Sequence, residues 1–393
     1  MIKAVIIMYK AWGFVRQSAI KAYLAGANVV YGATGGKKPG LLYCKCDNSH
    51  KIDTNVRIVS QNDYSTTIAK FDKSGNMTDD DFVIVSSTDF HFCDDNARNR
   101  KTVEYFIRHI KEVKPDLVVL TGDVILGKFQ QIEAIQFAQM MEEIGVYWAA
   151  VFGNHETREE RGFYKWLLMK SFVDYEHCLC KFGSDEMFGY GNFTINILGK
   201  GGRHRQTLFC FDSGRDMLER DKKAYGIPVE TEGYDFLKKE QIDFYKKETD
   251  KLMKEYGHAD SMMYFHIAIP EFAEVFKETD EGRYEPTGDY EILFGEQWES
   301  VGCSPYNSGM FAAIEEMGTK TKAIFVGHDH VNDWCAIYRG VYFVYNLPGG
   351  YAYHHGTNFG KPESEWVVGV TVTTLKADGS IDIKPRYSRI FLK

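Results

Sequence analysis

Five short apolar runs in this chain each lead into the same narrow set of polar residues, and that regularity constrains the fold more than any other feature. STDFH (87–91) closes a run beginning DFVIV, TGD (121–123) closes DLVVL, and GNHE (153–156) closes VYWAAVF. A histidine at 266 follows MMYF, and GHDH (327–330) follows AIFV. Continuous apolar runs rich in β-branched residues are the profile of strands buried on both faces. An open parallel sheet places its site in the crevice beyond the carboxyl ends of its strands, so runs far apart in sequence deliver their terminal side chains to one point.

The intervening sequence supports that arrangement. TTIAKFD and DFVIVSSTD read as two strands separated by a turn. Helical periodicity then runs from Asp95 to Val113 and stops before Pro115, and a second amphipathic helix covers 130–144. Strand, helix, strand, helix, strand in this order means parallel βαβ units. Further strands are expected at 206–212, 260–266, 321–326, 334–338, 341–346, 366–375 and 380–386, with a long amphipathic helix from Tyr234 to Tyr256. Residues 1–60 read differently. They offer a helix from Gly13 to Leu24, the turn-rich GATGGKKPG and a strand from Leu41 to Cys46, but no chemical motif. The expected division is therefore an N-terminal extension at 1–60, whose first expectation is a packing role, and a catalytic domain at 61–393. A membrane-surface or partner-binding element is the alternative for the extension.

A net charge of −8 argues against a surface that coats nucleic acid, which needs a concentrated basic face. No apolar run reaches the roughly 20 residues that span a bilayer. The N-terminal patch is short and broken by Lys10, so no signal peptide is read and a cytoplasmic location is the default expectation. None of the eight cysteines forms a CxxC pair; the C-x-C pairs at Cys44/Cys46 and Cys178/Cys180 are expected to be free thiols rather than zinc ligands.

The polar residues are chemically specific. Carboxylates and imidazoles together suit Zn, Fe or Mn, and one aspartate bridges two cations through its two oxygens. Cations about 3.5–4 Å apart polarise a phosphoryl oxygen and acidify a water into a nucleophile near neutral pH. The asparagine of GNHE suits a neutral carbonyl ligand that leaves the site positive enough for phosphate. Gly122, Gly153 and Gly327 suit sharp strand-to-loop turns.

The series D-x-H, G-D, G-N-H-E, a distant histidine and G-H-x-H resembles the signature of calcineurin-like metallophosphoesterases, over about residues 66–390. The resemblance implies a four-layer α/β/β/α sandwich with two mixed sheets. It implies two transition-metal ions (Mn, Fe or Zn, the identity open): one held by Asp89, His91, Asp123 and His330, the other by Asp123, Asn154, His266 and His328. By the same resemblance His155 is a catalytic and substrate-binding group that assists the leaving alkoxide, and Glu156 orients it or the local backbone. LFCFDSG (208–214), FHIAIPEF (265–272), CSPYNSGMF (303–311) and FVGHDHVNDW (325–334) look like a purple-acid-phosphatase-like branch without the leading β-domain of the plant enzymes. The chain departs from true purple enzymes in having D-F-H at 89–91 and Val124, with no tyrosine nearby, after Asp123.

The resulting expectation is a phosphomonoesterase working by in-line attack of a metal-bridging hydroxide, on a phosphorylated small molecule or a phosphoprotein. A phosphodiesterase or nuclease with the same site is the first alternative, and a catalytically silent metal-binding interaction protein the second. Asn154 and Asn307, with Ser213, Tyr306 and Ser308, are substrate-pocket candidates. Asp212 is read evenly as turning a loop near the site or capping a turn. Asp94 and Asp95 are read as helix caps, His354 and His355 as a loop pair, and His177 and His204 as structural.

Overall fold

The computed structural model describes residues 51–392 apart from 53, 94–95, 128–129, 157–162 and 353–359. The helix and strand expected before residue 50, Cys44, Cys46, Asp94, Asp95, His354 and His355 lie outside the described residues. The first half of the chain forms β1 (Val56–Gln61), β2 (Ser65–Lys70), β3 (Phe82–Ser87), α1 (Asn96–Val113), β4 (Leu117–Thr121), α2 (Gln130–Ile144), β5 (Tyr147–Val151), α3 (Phe163–Val173) and β6 (Phe193–Leu198). Next come β7 (His204–Cys210), α4 (Glu219–Tyr225), α5 (Lys239–Tyr256), β8 (Ser261–Tyr264), β9 (Phe276–Glu278), β10 (Tyr284–Pro286) and β11 (Glu291–Phe294). The last group is α6 (Met310–Glu316), β12 (Thr321–Val326), β13 (Cys335–Tyr338), β14 (Val341–Tyr345), β15 (Gly369–Leu375) and β16 (Ile381–Tyr387).

These strands make two mixed sheets, a five-stranded one ordered β16-β15-β3-β4-β5 and a nine-stranded one ordered β1-β2-β6-β7-β8-β12-β14-β13-β11. In the first, β3, β4 and β5 run parallel through the crossover helices α1 and α2. In the second, β7, β8, β12 and β14 run parallel. Every motif of the sequence therefore follows a parallel strand at its carboxyl end.

The side-chain alternation shows why those strands carry unbroken apolar runs. Met262, Tyr264, Ala323 and Phe325 join a core with Phe82, Val118, Phe137 and Trp148, on the side of the five-stranded sheet and its helices. Met263, Phe265, Ile324 and Val326 face the opposite way, into a second core with Tyr245 of α5 and Phe311 of α6. Both faces of β8 and β12 are covered, so polar alternation has nowhere to appear. The result is the expected α/β/β/α sandwich. Polar stitches close the sheet-to-sheet interface beneath the motifs: Ser86 Oγ donates to Asn346 Oδ1 at 2.7 Å, and Asn346 Nδ2 donates to Thr121 Oγ1 at 3.0 Å. Among the described residues no helix is long and apolar enough to cross a membrane.

Three features depart from the sequence reading or were absent from it. The boundary placed at 60/61 falls inside β1, which pairs antiparallel with β2 as the sheet's edge strand. The helix expected from Tyr234 begins at Lys239, because residues 234–238 form a separate turn whose Lys238 N–H is accepted by Gln241 Oε1 at 2.7 Å. The strand β6 was not anticipated. Its polar positions, buried Thr194 and half-buried Asn196, are bonded across neighbouring strands, Thr194 to Ser65 at 2.9 Å and Thr207 to Asn196 at 2.7 Å, so hydropathy alone hides it. The six described cysteines are free thiols, as expected.

Candidate metal centre

Four of the motif residues leave their strands in a left-handed conformation: Asp89 at φ 51°, His91 at 49°, Asp123 at 50° and His328 at 78°. Such a backbone costs roughly 1–2 kcal/mol per non-glycine residue and persists where its surroundings enforce it. Hydrogen bonds supply the enforcement. The Asp89 N–H donates to the Gly122 carbonyl at 3.0 Å and the His91 N–H to the Asp123 carbonyl at 2.9 Å. The His328 N–H donates to Asp89 Oδ2 at 3.0 Å. Fully buried Glu156 collects three more, from Asp123 (3.0 Å), Ile125 (3.0 Å) and Gly153 (2.7 Å).

The neighbouring glycines are steric necessities. A Cβ at Gly153 would lie 2.1 Å from Asp123 Oδ1, one at Gly327 1.9 Å from Thr88 Oγ1, and one at Gly122 2.7 Å from His266 Nδ1.

These turns converge. His330 Nε2 lies 3.3 Å and His91 Nε2 3.7 Å from Asp89 Oδ1. Asp123 Oδ2 lies 3.4 Å from His91 Nε2, 3.2 Å from His266 Nε2 and 3.8 Å from His155 Nε2. His266 Nε2 is also 3.0 Å from Asn154 Oδ1. Asp89–His91–His330, His91–Asp123–His155 and Asp123–His266–His328 each bring ligand atoms within 4.8 Å of one another, so these Asp and His residues are able to hold metal ions. The spacings suit neighbouring ligands around a cation bound at about 2.0–2.2 Å. Among the described residues, buried Asp89 Oδ1 has the His330 and His91 imidazoles beside it but no well-formed hydrogen bond, which fits an atom that faces a cation. His266 spends Nδ1 on the Thr121 carbonyl at 2.7 Å, leaving Nε2 as the basic nitrogen facing Asp123.

Burial opposes the charge on Asp89 and Asp123, yet His330 beside the first and His266 beside the second hold both well below the ordinary carboxylate range. Burial likewise works against protonated His266, but Asp123 outweighs it and lifts the imidazole to about 9. His328 goes the other way, down to about 3, through burial and then the charge of His266. Burial and the adjacent Asp123 raise Glu156 to about 8. His155 is lowered by burial, against a partial offset from Asp123. It differs from the others in exposure: its side chain is 36% accessible, whereas those of His91 and His266 are 0%.

The structure thus gathers Asp89, His91, Asp123, Asn154, His155, His266, His328 and His330, with Glu156 beneath them. Ser213 is buried and accepts the Ile267 N–H at 3.0 Å, one residue past His266. Asp212 turns its loop: Oδ1 accepts the Gly214 N–H at 3.0 Å and meets Lys165 Nζ at 2.6 Å. Exposed Asn307 donates to Glu271 Oε1 at 2.8 Å and accepts the Gly309 N–H at 2.9 Å, and Tyr306 packs on Phe236. His177 pairs with Glu142 and His204 with Thr207. Sequence reasoning missed Thr121, which orients His266, and Tyr234, whose ring meets that of His328 edge-on at 4.3 Å. It also missed Asp329, a buried carboxylate that accepts the Gly302 N–H at 3.1 Å and fixes the loop against His328. Thr121 opens the TGD motif and Asp329 lies within GHDH, so both were within reach of inspection; Tyr234 carried no signal.

A two-sheet sandwich with Asp and His at its strand ends defines a class of metal-dependent phosphoesterases, and comparison with known proteins agrees. The family model described as calcineurin-like phosphoesterase matches residues 82–332, and the chain belongs to that family. Among its relatives, "Probable inactive purple acid phosphatase 28" of Arabidopsis thaliana is 28% identical over 71% of this chain and 67% of its own length. "Probable inactive purple acid phosphatase 14" of the same plant is 30% identical over 69% of this chain and 66% of its own. "Phosphatase DCR2" of Saccharomyces cerevisiae is 29% identical over 59% of this chain and 39% of its own length. The chain therefore spans about two thirds of the plant relatives and well under half of the yeast one.

Proposed function

We propose that this protein is a dinuclear-metal phosphoester hydrolase acting on phosphomonoesters of small molecules or proteins. The observation that carries the reading is the convergence of two Asp/His groups on either side of Asp123, at spacings suited to cations. In this reading Asp89, His91, Asp123 and His330 hold one ion, and Asp123, Asn154, His266 and His328 hold the other. Two such ions would supply an activated water and neutralise charge developing on a phosphoryl group.

The protein's own residues do the rest. The Thr121 carbonyl fixes the tautomer of His266, so a metal-facing nitrogen needs no rearrangement to bind. Glu156 and the glycines hold Asp123 where both of its oxygens face site residues. His155 also falls within one ligand group, but its accessibility and its longer 3.8 Å approach to Asp123 favour a role at the mouth. Its backbone N–H, donating to Asp123 Oδ1 at 2.8 Å, anchors it there. A neutral imidazole so held donates a hydrogen bond to the leaving oxygen. Asn154 and Asn307 remain the proposed polar contacts to substrate.

The same site serves a phosphodiesterase, and relative rates on p-nitrophenyl phosphate and bis-p-nitrophenyl phosphate decide between the two. "Inactive" in the names of the plant relatives is said of those proteins; the complete ligand set here supports catalysis over a silent binding role. Metal analysis of the purified protein and Asp123→Asn test the whole reading. Bound transition metal and a loss of p-nitrophenyl phosphate hydrolysis by at least about 100-fold are expected, on the scale of removing a metal-ligating charge. Absence of metal, or unchanged turnover in the variant, would overturn it.

A further inference from the structure

The irregular segment at 233–238, read from Tyr234 onward as the start of a helix, instead carries Tyr234 to the metal centre. Its ring meets the His328 ring in a T-shaped contact, 4.3 Å between centroids at 86°. The segment is pinned on every side. Asp216 and Tyr234 form an isolated antiparallel bridge, and the Asp235 N–H donates to the Arg215 carbonyl at 2.9 Å. Buried Asp235 and Lys238 pair within the turn, and Phe236 packs on Tyr225 and Tyr306. Gly233 adopts φ 143°, and a Cβ there would lie 2.7 Å from Pro305 Cδ.

So much fixation holds a ring whose hydroxyl is unspent. Among the described residues the Tyr234 hydroxyl has no hydrogen-bond partner, although the residue is partly buried. Packing against His328 would be served equally by phenylalanine, so the hydroxyl is available to a ligand at the centre.

We propose that Tyr234 is a substrate-contacting residue whose hydroxyl donates a hydrogen bond to a non-bridging oxygen of the phosphoryl group. This rests on the phosphoesterase reading above. It assigns specificity for a phosphoryl oxygen to a loop that belongs to none of the metal-binding motifs.

The test uses the full-length metal-loaded protein, with inorganic phosphate as the probe in calorimetry and p-nitrophenyl phosphate in kinetics. Tyr234→Phe should keep wild-type metal content and melting temperature. The phosphate Kd and the KM should rise together by about five- to tenfold, the effect of losing one neutral hydrogen bond, with kcat little changed. Phosphate binding by Y234F equal to wild type would overturn the inference and leave Tyr234 as packing for His328. If wild-type protein itself neither binds phosphate nor hydrolyses the ester, the phosphoesterase reading fails and takes this inference with it. Should Y234F lower the melting temperature, 3-fluorotyrosine at position 234 keeps both ring and hydroxyl. Its fluorine resonance should then shift on saturation with phosphate, and an unmoved resonance counts against the contact.

Discussion

Replacing Glu156 by glutamine is the sharpest probe of how the site is built, because it changes a hydrogen-bond inventory and almost no volume. Glu156 Oε2 accepts the N–H groups of Asp123 at 3.0 Å and Gly153 at 2.7 Å, while Oε1 accepts that of Ile125 at 3.0 Å. Above about pH 8, where Glu156 is ionised and offers acceptors to all three N–H groups, glutamine by contrast retains one carbonyl oxygen and turns its amide NH2 toward whichever N–H remains. Two donors then face each other at a site that is 1% exposed. A buried donor left unmatched costs about 1–3 kcal/mol, a fall of between about fivefold and about a hundredfold in the folding constant. The loss should appear in urea denaturation as a lower midpoint with an unchanged slope. Because the released N–H groups hold Asp123 in its left-handed turn, metal content after dialysis should drop in parallel. Glu156→Ala, which orphans all three donors and leaves a cavity, should lose more on both measures. An E156Q protein with wild-type midpoint and wild-type metal content would refute the claim that Glu156 organises the site.

Gly153→Ala and Gly327→Ala place methyl groups 2.1 Å from Asp123 Oδ1 and 1.9 Å from Thr88 Oγ1, so each should reduce metal content and lower stability by about 1–3 kcal/mol in urea melts. Lys165→Met strands the fully buried Asp212 carboxylate, costing about 3–5 kcal/mol; adding Asp212→Asn, which removes the stranded charge, should recover part of that in the same assay. In chelator-treated protein His266 has its folded-state pKa raised from 6.5 to about 9. Its stabilising contribution is therefore complete below about 6.5 and disappears as pH rises through about 9. Denaturation midpoints across that window should fall, and the fall should flatten in His266→Gln. Since metal must displace the same proton, apparent metal affinity measured by competition should climb over the same window.

The candidate centre was legible because its chemistry is written locally. Each proposed ligand sits next to an apolar run, so the order of Asp89, His91, Asp123, Asn154, His266, His328 and His330 along the chain already shows where strands end. Gly122, Gly153 and Gly327 were legible for the same reason, since a strand that must turn within one residue of a ligand leaves no room for a Cβ. The strand β6 was not legible, because Thr194 and Asn196 look solvent-facing until Ser65 and Thr207 are beside them. The pairing of residues 56–61 was hidden for a similar reason, since an edge strand declares itself only through its partner, here β2.

The sequence by itself determined the residue types, the strand-end placement of the ligands and the parallel order of the strands that carry them. Periodicity and motif spacing are local quantities, and those features depend on nothing else. Only the tertiary structure decided how the two sheets register, with Asn346 stitched to Ser86 and Thr121 so that His91 from one sheet and His266 from the other both approach Asp123. It alone separated the partly exposed His155 from the buried His91 and His266 beside it, and it alone brought Tyr234 onto His328. That contact joins residues 94 positions apart through a turn whose own sequence reads as helix. No local pattern encodes a meeting of that kind, because it is set by how the intervening strands and helices pack.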